Sequence, residues 1–382
     1  MKPLHFFFLI VSARLLSGCG VSTGTTPGNN RDTSYYFLKD SAFQPVRRDG
    51  TSGATELIVG DFTDDTYDDL IVLTESAGMV FYRNLTGEGF LAGDLIGVTP
   101  ANYNFAAVYN SGLVLAESGT GSLRVLNNTS GFSLNASYLE PRVSAATQVV
   151  VSGPVVAVMT ESTHLIAEIG ASAFQDVINL TDVFPGSSGR VQAGRINNDS
   201  LDDFMFVANS GSQAAKFYRR TSSGVQAATA SVNRASSSNV NDFVLANFTG
   251  SDAVDALLLT SAGLELLENQ STASIVLQNR TLLGDVSAVG SQLIAGDFLR
   301  QDGLNDVYLI RASGKGVLLS RSAADSLLFE DITAIDGFAT SDQGSGPVDV
   351  VKGDFDGDNR LDIAELYSNG SIRVYMNTAK AD

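Results

Sequence analysis

The chain has 382 residues, a formal net charge of −18, two histidines and one cysteine. With 42 acidic against 24 basic side chains its surface repels nucleic acid and anionic lipid, so neither is expected as a partner. A single cysteine excludes a disulfide framework, and so few His and Cys exclude a zinc centre built from them.

The first residues, MKPLHFFFLIVSARLLSGC, combine Lys2, an apolar stretch interrupted by Arg14, and Leu16-Ser17-Gly18-Cys19. This resembles a bacterial lipoprotein signal, which implies removal of residues 1–18 and lipidation of Cys19. Gly20 stands where an Asp would retain a lipoprotein in the inner membrane, so the resemblance implies the outer membrane, facing either side. Loss of Lys2 and Arg14 takes the net charge from −18 to −20. Residues 19–34 read as a flexible tether reaching about 20 Å. Its GVSTG matches GxSxG in form but lacks a strand–turn–helix context. No later run approaches the ~18 apolar residues of a membrane span.

Residues 35–382 carry short alternating apolar runs punctuated by an acidic loop. Tyr35–Phe43, YYFLKDSAF, is similar to Leu327–Ile335, LLFEDITAI, and is expected to be an outer strand pairing with Ile372–Met376. Gly60–Leu70 reads GDFTDDTYDDL, with Asp61, Asp65 and Asp69 as carboxylates, Thr63 as a weaker oxygen and Tyr67 at the backbone-carbonyl position. Phe105–Asn128 and Gln148–Gly170 repeat the strand pattern without an acidic loop. Gly194–Phe204, GRINNDSLDDF, keeps Asn197, Asp199 and Asp203 but has Arg195 in first place. Ala246–Ala256, ANFTGSDAVDA, has only two acids, with Asn247, Thr249, Ser251 and Asp255 at the loop positions. Gly296–Val307 fits through Asp297, Asp302 and Asp306 if one residue is inserted.

The best-formed copy is Gly353–Asp362, GDFDGDNRLD. Asp354, Asp356, Asp358 and Asp362 fall at positions 1, 3, 5 and 9, with the Arg360 carbonyl at position 7. Alternating oxygens of this kind suit Ca2+, which takes six to eight of them at about 2.3–2.6 Å. An EF-hand is the competing template, since Glu365 occupies its twelfth position. However, Val348–Val351 and Ser371–Tyr375 alternate with period two, and Asn369-Gly370 is a hairpin signal, so the flanks read as strands rather than helices. Phe62, Phe248, Phe298 and Phe355 recur at one repeat position and are expected in the core.

These units resemble VCBS/FG-GAP repeats, the blades of the integrin α-chain type of β-propeller. There are seven, and 348 positions give about 50 residues each, a four-stranded blade. The resemblance implies an all-β, seven-bladed propeller, with six or eight blades as alternatives. It implies calcium in the acidic loops, and a monomeric, non-catalytic platform for an adhesion or envelope partner, protein or glycan. Catalysis on a polysaccharide and lectin activity are the alternatives. The mature chain has one histidine, His164, in an alternating run where a packed or surface strand residue is expected. Gly314-Lys315-Gly316 suits a hairpin better than a phosphate loop. Without tryptophan, and with the repeat phenylalanines assigned to the core, sugar stacking has little support.

Overall fold

The computed structural model describes residues 37–38, 53–75, 78–91, 93–96, 103–117, 121–128, 132–139, 145–160, 165–170, 174–179, 189–197, 199–209, 215–228, 230–234, 238–251, 253–271, 275–283, 290–299, 302–311, 314, 316–321, 329–331 and 346–378. The leader, Cys19, the tether, His164 and Lys315 lie outside these residues.

The regular elements among the described residues are β-strands in seven small sheets, antiparallel but for one edge pair. In sheet 1, Ala54–Gly60, Asp69–Thr74, Gly78–Tyr82 and Asp94–Leu95 pair in that order. Its second strand, DLIVLT, is buried at every position. So are the second strands of sheets 2 to 5, Gly112–Glu117, Val155–Thr160, Asp203–Ala208 and Asp255–Thr260. Continuous apolar runs replace alternation because both faces of each sheet are covered.

The covering comes from neighbouring sheets. The first strands are Ala54–Gly60, Tyr103–Tyr109, Ala146–Ser152, Gly189–Gly194, Val240–Ala246, Gly290–Gly296 and Asp349–Gly353. Each contacts the one before and the one after, and the last contacts the first. The core is correspondingly divided into clusters between successive sheets. One joins Leu70 and Tyr82 of sheet 1 to Ala364 and Val374 of sheet 7. Another joins Leu257 of sheet 5 to Leu309 of sheet 6. A repeat of this kind buries neither face alone and is stable only when stacked. Phe62, Phe248, Phe298 and Phe355 are all buried, as their repeat position leads one to expect.

Two edges are covered in different ways. Phe37–Leu38 pairs antiparallel with Ile372–Asn377, Phe37 opposite Asn377 and Leu38 opposite Met376, and so supplies the fourth strand of sheet 7. Sheet 5 departs from the four-stranded pattern. After the outer strand of sheet 4, Gly224–Ala227, the chain crosses over, and Ala230–Asn233 adds a fifth strand parallel to Ile275–Leu283. This hides an outer edge whose backbone groups would otherwise be open to pairing.

Candidate functional site

The loop 353–362 joins the first strand of sheet 7 to its second, Asp362–Leu366. Its turn uses left-handed backbone at Gly357 (φ 75°) and Asn359 (φ 63°). That conformation folds the amides over Asp354: Oδ1 accepts Gly357 N at 2.8 Å and Asp358 N at 3.1 Å, and Oδ2 accepts Asn359 N at 2.8 Å. Carboxylate oxygens of Asp354, Asp356 and Asp362 lie within 4.8 Å of one another. Two ligands on opposite sides of a calcium ion are separated by about twice 2.4 Å, so these three can share one ion.

The electrostatics agree with the geometry. Burial pushes Asp362 up to about 8; the Asn377 and Phe355 amides oppose the shift, and Asp356 and Asp358 add to it. Burial and then the adjacent Asp358 push Asp356 up to about 6. Crowded carboxylates of this kind are relieved by a cation. Asp358 is not brought into the trio. It is ion-paired with the Arg360 guanidinium and also accepts Arg360 N at 2.9 Å, while Arg360 Nε donates to the Asn377 carbonyl. Glu365 is not a loop ligand either. It is buried in the strand and accepts the hydroxyls of Tyr308, Tyr367 and Tyr375, which together with the flanking strands removes the EF-hand reading.

The sheet 1 loop copies this turn without its favourable residues. Asp64 (φ 59°) and Thr66 (φ 74°) stand where Gly357 and Asn359 stand, and positive φ is costly for a β-branched residue. Asp61 accepts Asp65 N and Thr66 N, and Asp65 accepts Tyr67 N. The other Asp65 oxygen, Oδ2, is buried without a hydrogen-bond partner, an acceptor suited to a cation. The Thr63 hydroxyl donates to Asp69 at 3.3 Å. Among the described residues, the sheet 7 trio is the group that converges on one point.

The other loops draw mostly on their own amides and hydroxyls, although in sheet 4 Asp203 Oδ2 and the Asn197 side-chain nitrogen are buried without a hydrogen-bond partner. In sheet 4, Asn197 accepts Asp199 N, and Asp199 pairs with Arg219 at 3.1 Å. Asp203 is raised to about 6 by burial. In sheet 5, the Thr249 hydroxyl donates to Asp255 at 2.9 Å. In sheet 6, Asp297 accepts Gly303 N, Asp302 accepts Leu304 N and Asp306 accepts Leu299 N.

Spacing alone does not reveal the second task of the ninth-position acid. Asp69, Asp255 and Asp362 each bridge two amides, one from the loop phenylalanine (Phe62, Phe248, Phe355, all at 2.9 Å) and one from an asparagine that ends the third strand (Asn84, Asn269, Asn377, at 2.7, 2.8 and 2.7 Å). The side chains of these asparagines reach into the preceding sheet: Asn84 to the Phe355 carbonyl, Asn269 to Ile196 and Asn377 to Phe298. Asn128 does the same to Phe62 from sheet 2, which has no acidic loop. The asparagine closing four of the repeats, Asn84, Asn128, Asn269 and Asn377, was the signal for this latch.

A second feature escaped the sequence reading. A cavity of about 780 Å³ is lined from all seven sheets. Six of its lining residues share one register, four positions before the first residue of the following loop or turn. The acids there are Glu56, Asp242 and Asp349, the amides Gln148 and Gln292, and the cation Arg190. Four of them tie one first strand to another: Glu56 accepts Ala106 N, Gln148 accepts Val191 N, Asp242 accepts Leu293 N and Asp349 accepts Leu57 N, at 2.7–3.0 Å. Burial raises Glu56 well above its ordinary range, with Asp349 adding to the shift. Burial pushes Asp242 and Asp349 up to about 6, with Arg190 opposing in both cases.

No protein-family model and no curated protein sequence matches the chain. Solved structures do. The chain is similar to BBS1N, solved in complex with ARL6DN, with a TM-score of 0.54 and 12% identity over 89% of this chain and 99% of that one. It is equally similar to YCF48 bound to D1 peptide, with a TM-score of 0.54 and 10% identity over 91% and 100%. The extracellular domain of the putative one component system BT4673 from B. thetaiotaomicron gives 0.50 and 10% over 87% of this chain and 40% of that one. These likenesses identify the fold as a β-propeller.

Proposed function

We propose that the chain is a seven-bladed β-propeller of the VCBS/FG-GAP kind, stabilised by calcium and acting as a non-catalytic binding platform. The observation that carries the platform reading is the fold: BBS1N and YCF48, whose folds it shares, are seen holding ARL6DN and the D1 peptide. Seven blades are supported by the seven sheets and by the contact between the last first strand and the first. Calcium is supported by the converging Asp354, Asp356 and Asp362 and by the orphan oxygen of Asp65. Asp61, Asp69, Thr63 and the carbonyls of Tyr67 and Arg360 are the further oxygens in this reading. The sheet 4 and sheet 6 acids are weaker sites.

In the same reading Cys19 carries the lipid that holds a monomeric propeller at the outer membrane, where it meets a protein or glycan partner. Pull-down of the intact lipoprotein from native envelopes, with calcium and with EDTA, tests it. A partner recovered with calcium and lost with EDTA is the expected result. Recovery identical to that of a Cys19→Ser protein with the propeller unfolded would rule the platform out.

A further inference from the structure

We propose that the cavity lined by the seven first strands binds a small zwitterion, a molecule carrying both a carboxylate and an ammonium group, such as a free amino acid or a short peptide. Its volume, about 780 Å³, falls in the range of roughly 300–1,000 Å³ typical of small-molecule sites. Two donors on its wall have no acceptor among the described residues. Arg190 makes no hydrogen bond or ion pair among the described residues. Thr147 Oγ1 is buried without a partner. A guanidinium presents five N–H donors in a planar fork that matches a carboxylate, and a hydroxyl adds one more.

The cation side of the ligand has its counterpart in Asp242 and Asp349, both of which feel the Arg190 charge. Asp349 accepts Leu57 N, Val350 N and the Gln292 amide. Asp242 accepts the amides of Leu293 and Phe243. A carboxylate offers about four acceptor sites, so each retains at least one for an ammonium donor. The second cation of the cavity, Lys352, already donates to the Ala295 carbonyl. Among the described residues, Arg190 is therefore the cavity cation without a hydrogen bond or ion pair. A simple anion on Arg190 would lie in the field of both aspartates, and a simple cation beside the aspartates would meet Arg190. A ligand bearing both charges avoids both repulsions. Phe105 and Val244 supply apolar wall for its side chain.

Isothermal titration of the mature protein with L-alanine, L-glutamate and trialanine tests the site, alongside N-acetylalanine, which lacks the ammonium, and alanine amide, which lacks the carboxylate. Saturable binding of at least one zwitterion is expected, at least tenfold tighter than its charge-blocked analogues, and equal in calcium and in EDTA. That last property separates the cavity from the acidic loops. Arg190→Gln is expected to weaken binding at least tenfold and Thr147→Val several-fold. Neither side chain hydrogen-bonds another described residue, so both variants should fold; if Arg190→Gln does not fold, Thr147→Val carries the test. Absence of saturable heat with every zwitterion, equal binding of N-acetylalanine, or undiminished binding by the folded variants overturns the proposal.

Discussion

The Asp68 carboxylate accepts the backbone amide of Asp354 at 2.8 Å, and the Asp68 amide donates to the Asp354 carbonyl at 3.1 Å. They stand in the first and last acidic loops, yet they make the contact that consecutive repeats make elsewhere. Asn305 and Asn247 exchange the same two bonds between sheets 6 and 5, and Val254 N donates to the Arg195 carbonyl between sheets 5 and 4. The seam between the last repeat and the first is built as an ordinary joint.

Asp68→Ala should therefore weaken the whole domain. It leaves the Asp354 amide without its acceptor, an expected loss of about 1–2 kcal/mol in urea denaturation. Asn305→Ala should cost a similar amount. An Asp68→Ala midpoint indistinguishable from wild type would mean that the seam contributes nothing to stability.

Calcium should raise the melting temperature and EDTA should lower it. At calcium near ten times the dissociation constant, one site adds about 1.4 kcal/mol. Asp354→Ala should remove most of the calcium response, and Asp61→Ala a further part. Superimposable melting curves in calcium and EDTA would remove the metal from the account.

The loop of sheet 5, which has two acids, should behave in the opposite way. Asp255 is buried and accepts Phe248 N, Thr249 N, the Thr249 hydroxyl and Asn269 N. Asp255→Ala orphans several donors and should cost at least ~3 kcal/mol, while the difference between calcium and EDTA stays as in wild type. A lost calcium response in this variant would show that the fifth loop also binds metal.

Stability should fall as pH rises from about 4 to 6. Asp242 is held up at about 6 by burial and by Asp349, against Arg190 and the Leu293 and Phe243 amides; its unfolded value is about 3.9. Across that window the unfolded chain releases a proton that the folded protein keeps, so each step up in pH favours unfolding, and the loss is complete above the folded value. Two units correspond to roughly 3 kcal/mol. Asp242→Asn keeps an acceptor for Leu293 N and should flatten that part of the slope in EDTA. The same pH dependence in wild type and variant would assign the slope to other groups.

Removing residues 35–46 should lower solubility as well as melting temperature, since the Ile372–Asn377 edge then loses Phe37–Leu38. Light scattering of the truncated protein, compared with the full domain, checks this.

The repeat, the strands and the buried phenylalanines were legible because each is a local pattern that recurs in register. The trio of Asp354, Asp356 and Asp362 was also legible, as spacing on a tight turn. Asp358 was not, because its partner depends on where the Arg360 side chain swings, and spacing is silent about that. The double duty of Asp69 and Asp362 was hidden for a related reason: counting carboxylates does not say which amides they accept. The ring of Glu56, Arg190, Asp242 and Asp349 looked like ordinary alternation in each strand. Only the assembly of all seven sheets brings those residues to one cavity.

The pairing of Phe37–Leu38 with Ile372–Asn377 also sets the order of events in synthesis. A strand made among the first waits for one made among the last, while every repeat between them is translated. Until then the polypeptide carries two unpaired edges and an unlatched Asp68. Completion of the final repeat is thus the step that gives both edges and the Asp68 carboxylate their partners.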